Sequence, residues 1–440
     1  MRVRALSALL AAVALVLAGC SSQDSGGDDN AASASWSLPS TDPTATVRVL
    51  GFLDPVADGT QKVFDAFQKA HPTIKLQYEH VPFDQLNSVT EARISNKQGN
   101  PDVLWADMPR IPALAARGYL DDITAQFKQY TSAFDPAPVK ATTVEGKLYA
   151  LPIANSTQLL FYNRTALAKA GLKPPSADPK TRITWEQLSA DAAKAKADGG
   201  AQYGLVFGQW DRYYQLQPLP MSLGGGNGAA SNDPLKPEVT TPQWVKAFEW
   251  YGKQFADGTS PRGVPTEQND ALFAAGKIAY MVEGPWLLPQ LSKAKVDWGV
   301  AAHPMFEGGK PVTPTGSWSL ALNPYSKNKP AAGVFLKWMA IDGGSGYTTN
   351  LPAPELPANV KGKSSYFARP VFATPEGKKA AVIIDYETAN TAVNRVPTVG
   401  FIEFEDIIGR AFADIRNGTP AKTALDKAQA DINTAWAKYR

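Results

Sequence analysis

The stretch from residue 46 to residue 107 leaves few folds open to this chain. In "TVRVLGF" (46–52), Val47, Val49 and Gly51 alternate with Arg48 and Leu50, the period of a strand. Val63, Phe64, Phe67 and Ala70 then recur at helical spacing until Pro72 stops them. Two further strands follow, "IKLQYEH" (74–80) and "PDVLWAD" (101–107), with helix-forming sequence over 83–96 between them. Strand, helix, strand, helix, strand requires parallel strands joined by right-handed crossovers, which is an α/β sandwich. Ligands of such sheets sit beyond the carboxyl ends of the strands. Asp54, after the first strand, and Asp107, closing the third, therefore share one rim.

The remainder continues in the same style. "GKLYALPIANSTQLLFYNR" holds two short strands around Pro152 and leads into a helix from Thr165. "TWEQLSADAAKAKADGG" is a helix with Thr184 as N-cap, Gln187 as its capping-box partner and Gly199 as terminator. A strand "AQYGLVFG", helices over 243–255 and 269–275, and strands "KIAYMVEG" and "DWGVAAHP" come next. "KNKPAAGVFLKWMAI" sets Val334, Phe335, Trp338 and Met339 on one helical face, and two helices, 403–417 and 420–439, end the chain. With 440 residues the chain exceeds what one hydrophobic core supports, so two or three domains are expected.

Charge and chemistry exclude several classes. Lys and Arg number 44 against 41 Asp and Glu, and two of those arginines, Arg2 and Arg4, fall in the leader described next. The rest is close to neutral and has no basic stripe to follow a phosphate backbone, which argues against nucleic acid. A single cysteine permits no intramolecular disulfide and no CxxC motif. His71, His80 and His303 lie far apart without metal-ligand spacing, no GxSxG elbow is present, and the glycine loop "SLGGGNG" (222–228) lacks the frame of a nucleotide loop. No metal and no cofactor are expected.

Residues 1–19 read as a secretory signal, with Arg2 and Arg4 ahead of an apolar run over 9–18. That run is shorter than the roughly 20 residues a spanning helix needs. It ends in "LAGC", and Cys20 is the only cysteine. This resembles the lipobox of exported bacterial lipoproteins, whose cysteine is lipidated and becomes the new N-terminus. The Ser-, Gly- and Asp-rich stretch over 20–45 cannot bury enough apolar surface to fold and is expected to be a disordered tether, with the folded body starting near Thr46.

Several aromatic residues interrupt the core pattern. Trp210 sits in "FGQWDRYY" beside Asp211, Arg212 and Tyr214. Trp286 follows a Gly-Pro turn in "VEGPW", Trp318 opens a strand in "GSWSLAL", and Trp105 precedes Asp107. Core packing is the commoner role for each ring alone. Together, flat rings beside carboxylates, amides and guanidinium groups suit a sugar: its C–H face packs on an indole while its hydroxyls need planar donors and acceptors. The competing enzymatic reading is a glycoside hydrolase, with Asp54, Asp107, Asp211 and Glu283 as candidate carboxylates. A surface adhesin without a small ligand is a third.

Taken in order behind a lipobox, "FDAFQKAHPTIKLQY", "GNPDVLWADMPRIPALAARGYLDDIT", "TWEQL", "FAAGKIAYMVEGPW", "GSWSLALNP" and the C-terminal "FIEFEDIIGRAFADIRNGTPAKTALDKAQADIN" resemble the maltose-binding-protein-like solute-binding proteins of bacterial ABC importers. The resemblance runs from Thr46 to Arg440. It implies a two-lobe α/β periplasmic-binding-protein-like fold with a hinge and a ligand cleft between the lobes. Lobe 1 would comprise 46–153 with 312–357, and lobe 2 would comprise 154–311 with 358–440. It further implies a monomer that is not an enzyme, held by its lipid on the outer face of the membrane, capturing a sugar for permease subunits. A glycerophosphodiester or other sugar derivative is the alternative ligand. Carried over one at a time, the binding residues would be Asp54, Asp107, Arg110, Asn155, Ser156, Trp210, Asp211, Tyr214, Gly225, Gly226, Trp286, Trp318 and Arg395. Trp286 is the firmest match. Asn155 stands where many relatives carry an acid, and 351–395 departs from the family pattern.

Overall fold

The computed structural model describes residues 35–351 and 356–440. The leader, Cys20 and the first part of the expected tether lie outside the described residues. Nine strands build two separate sheets: β1 (Ala45–Gly51), β2 (Ile74–His80), β3 (Val103–Asp107), β4 (Ala150–Pro152), β5 (Leu159–Asn163), β6 (Tyr203–Phe207), β7 (Ile278–Glu283), β8 (Trp298–Ala302) and β9 (Trp318–Leu322).

The first sheet has the order β2-β1-β3-β9-β4. β1 runs parallel to β2 from Ala45 opposite Ile74 to Gly51 opposite His80, and parallel to β3 at Val49 and Leu50. The crossover helices Gln61–Ala70 and Leu86–Ser95 fall within the stretches where the sequence places helices, the first of them by its apolar spacing. Every residue of β3 and β9 is buried, as in a sheet covered on both faces, while the edge strand β2 fully buries Ile74 alone. β9 returns antiparallel, with Trp318 opposite Asp107. The start of β9 therefore joins the carboxyl end of β3 on one rim. Val47, Val103, Trp105, Leu320, Phe335 and Met339 anchor the core of this lobe.

The second sheet, β8-β5-β7-β6, pairs β7 parallel with β6 and antiparallel with β5. The helices Trp185–Asp198, Pro242–Ala256, Phe401–Arg416 and Ala421–Trp436 pack around a distinct core containing Phe161, Trp185, Trp244, Phe248, Phe412 and Trp436. Thr184 caps its helix as expected, accepting from the Gln187 amide at 3.1 Å. The chain passes between the cores along short paired strands. Ala154–Asn155 lies antiparallel to Leu356–Pro357, and Thr313–Pro314 lies parallel to Ala392–Val393. The result is a two-lobe α/β fold.

Within residues 35–45, Trp36 is half-buried in a socket that composition alone does not reveal. Its indole N–H donates to Asp121 at 2.9 Å and its carbonyl accepts from Gln126 at 2.6 Å. The ring lies beside Phe127 and over Gly333, where a Cβ would come within 2.6 Å of it. Asp42 meets His71 at 2.7 Å further along.

Candidate ligand-binding site

Where the two lobes meet, Asp107 closes β3 with its carboxylate buried and gripped by both terminal nitrogens of Arg395, one of them at 2.7 Å. A short 3-10 turn beyond it, Met108–Arg110, aims Arg110 at Glu405 (2.6 Å) and toward Glu91 (3.6 Å). Arg395 also approaches Glu405 at 3.6 Å. Glu405 lies in the second turn of the helix Phe401–Arg416 and is held below the usual carboxylate range: burial pushes it up, but Arg110, Arg212 and Arg395 outweigh burial. Such a buried fork-to-carboxylate pair fixes geometry strongly.

The crossing segments add neutral partners. Ser156 donates to the Gly316 carbonyl at 2.9 Å and accepts from the Tyr214 hydroxyl at 2.9 Å. Asn155 accepts from Thr315 at 2.7 Å. The Arg395 guanidinium lies 5.2 Å over the Tyr214 ring. Trp318, on the rim beside Asp107, packs 4.1 Å from Phe52 and 5.9 Å from Phe83, and Phe83 is 37% exposed. Asp54 sits at the surface of the same rim. Its carboxylate accepts from the Ala57 and Val56 amides, which hold it below its ordinary value, and His80 approaches at 3.9 Å.

In the second lobe, Glu283 closes β7 as Asp107 closes β3. It is buried, and among the described residues no cation pairs with it. It accepts from the Gly284 amide at 2.8 Å and hydrogen-bonds with the side chain of Trp286, while the Gln158 amide nitrogen lies near without a well-aligned bond. Gly208 has to be glycine here, because a Cβ would fall 1.4 Å from the Glu283 carboxyl. Burial pushes Glu283 well above the usual carboxylate range and Asp270 adds to it; burial also pushes Asp270 up to about 6. The benzo ring of Trp286 lies over Gly284, and the indole is only partly buried.

Asp107, Arg110, Asn155, Ser156, Tyr214, Trp318 and Arg395 thus come together at the lobe junction. Others take different places. Trp210 is 7% exposed and packs against Phe207 and Phe255 in the second core. Asp211 is clamped by Arg416 at 2.8 Å. Gly225 accepts from the Trp244 indole, and Gly226 is a left-handed turn residue at φ 72°. Residues that sequence reasoning passed over are Phe52, Phe83, Arg212 and Glu405. The signal for Arg212 and Phe83 was present: each lies in a loop just past the carboxyl end of a strand.

Two lobes whose strand ends turn carboxylates, guanidinium groups, amides and rings toward their junction make a solute-binding architecture. Residues 54–346, more than half of the chain, match the bacterial extracellular solute-binding protein family, and the chain belongs to that family. It is 27% identical over 335 residues to the maltodextrin-binding protein MdxE of Bacillus subtilis, spanning 74% of this chain and 76% of that one. A maltooligosaccharide ABC transporter solute-binding lipoprotein of Streptococcus pneumoniae is 25% identical over 293 residues, 64% and 65% of the two chains. The GacH receptor of Streptomyces glaucescens, solved unliganded and with acarbose, shares the fold at a TM-score of 0.74, with 24% identity over 90% of this chain and 98% of that one. The family and these relatives are binding proteins rather than enzymes.

Proposed function

We propose that this protein captures a sugar, a di- or oligosaccharide, between its lobes and delivers it to an ABC importer. On this reading Cys20 carries the lipid that holds it at the outer face of the bacterial membrane. The segments 46–153 with 312–357 and 154–311 with 358–440 would move as the two lobes. The observation that carries the reading is the presence of accessible rings at the strand ends of both sheets, Phe52 and Phe83 over the buried Trp318 on one and Trp286 on the other. Each is backed by polar side chains already fixed by hydrogen bonds. Rings supply the face a pyranose packs on, and fixed polar groups supply partners for its hydroxyls without ordering cost at binding. The relatives named for maltodextrin and maltooligosaccharide, one of them a lipoprotein, support the ligand class and the anchor.

Bound ligand can favour the closed arrangement only by touching both lobes. Opening would part Asp107 from Arg395 and Arg110 from Glu405. A thermal-shift screen over neutral and derivatised oligosaccharides tests the proposal, since a ligand at a hundredfold excess over Kd adds about 2.7 kcal/mol to stability. Trp286→Ala should then weaken the best ligand about tenfold or more in calorimetry while the ligand-free melting temperature holds. Affinity unchanged in Trp286→Ala would remove that ring from the site.

A further inference from the structure

At the lobe junction every guanidinium but one has a carboxylate of its own. Arg395 holds Asp107, Arg110 holds Glu405, and Arg117 holds Glu91 and Glu403 at 2.9 Å each. Arg212 has no ion pair and no side-chain hydrogen bond among the described residues. It faces Glu405 and Asp107, both already taken, and the like charges of Arg395 and Arg110.

The chain goes to some length to put it there. Asp211, the residue before it, holds a left-handed backbone at φ 58°, a conformation that costs a non-glycine residue on the order of 1 kcal/mol. Four contacts enforce it. Arg416 Nε reaches both Asp211 oxygens at 3.1 and 3.0 Å, Arg416 Nη2 lies at 2.8 Å, and Tyr251 donates at 3.4 Å. Upstream, Gln209 donates its amide to Gln215 at 3.2 Å. The outcome is that Arg212, from the second lobe, lies 4.5 Å over the Phe83 ring of the first. A ring beneath a guanidinium neutralises little of its charge and leaves the in-plane N–H donors unused. Backbone strain held in place by a dedicated clamp points to function rather than to packing.

We propose that Arg212 is the anion-recognising residue of the cleft, and that the captured sugar carries a carboxylate or phosphate which the Arg212 fork binds while Phe83 supports it. This rests on the sugar-capture reading and narrows it. A planar fork of donors with no protein acceptor matches a two-oxygen anion better than a single hydroxyl. A neutral sugar would leave the in-plane N–H donors of this half-buried guanidinium without a charged acceptor.

The test is a paired screen on the full chain, reading melting temperature and then calorimetric affinity. Its neutral arm holds maltotriose, cellotriose and galactosyl oligosaccharides. Its acidic arm holds trigalacturonate, sialyllactose and sugar phosphates. We expect the best ligand to come from the acidic arm. Arg212→Gln should weaken it at least thirtyfold, Arg212→Lys should lose less, and rising salt should weaken the wild type more than Arg212→Gln. The ligand-free melting temperature of both variants should stay within a few degrees of wild type. A best ligand that is neutral, bound equally by wild type and Arg212→Gln and weakened by Trp286→Ala, would overturn this proposal and leave sugar capture standing. An anion bound by wild type and Arg212→Gln alike would also overturn it. No binding in either arm would overturn both.

Discussion

Asp107 and Glu283 occupy equivalent places in the two lobes, each the last residue of a buried strand and each almost wholly shielded from solvent. Their surroundings are opposite. Asp107 meets two nitrogens of Arg395 within a cluster of alternating charges. Glu283 meets an amide, an indole and a second carboxyl, and burial pushes it toward its neutral form. Topology delivers an acid to both strand ends, and the neighbours decide whether it serves as an ion or as a neutral hydrogen-bonding group. A carboxylate locked to a guanidinium by two short hydrogen bonds positions its surroundings and has both oxygens engaged. That suits a binding surface better than acid catalysis.

The largest effect should come from breaking the charged side. Arg395→Met leaves Asp107 buried and alone, at a cost of about 3–5 kcal/mol in urea unfolding, and the double variant Asp107→Leu/Arg395→Met should recover most of it. Glu283→Gln keeps the shape and polarity and should cost far less. If it costs as much as Arg395→Met, the contrast between the two acids is false.

Next comes pH. Asp270 and Glu283 are raised by burial, so their stabilisation is present below the ordinary carboxyl range and is lost as pH climbs, for Asp270 through about 6. Glu405 is lowered, so its stabilisation is present above the ordinary range and is lost as pH falls through its folded value. Against wild type, Asp270→Asn should therefore gain stability between pH 4 and 7, and Glu405→Gln should lose its disadvantage toward acid. Parallel pH curves for wild type and Asp270→Asn would show that this group does not titrate as its burial requires. The smallest effect is Asp54→Asn. Asparagine keeps the oxygen that caps the turn, so the melting temperature should stay where it is in wild type, and a clear drop would mean the turn depends on the charge.

Much of this was legible in the sequence because it depends on local pattern. The strand and helix periods over 46–107 place Asp107 at a sheet rim, and that alone makes it a candidate. Its partner was not legible as a partner: Arg395 lies 288 residues further on, and no local rule joins them. Trp210 shows the converse. Its neighbours Asp211 and Arg212 look like a polar site, yet the turn folds the ring back onto Phe207 and Phe255, while Arg212 goes to the junction. The segment around Trp36 has the same lesson, since a single large ring outweighs the polar composition around it once a socket exists.

Small-angle X-ray scattering with and without the sugar that the stability screen identifies tests the central claim most directly. Capture between two lobes predicts that the radius of gyration falls at saturating ligand, because a ligand that touches both lobes favours their closed arrangement. A radius unchanged at saturation, with binding confirmed by calorimetry, would contradict it.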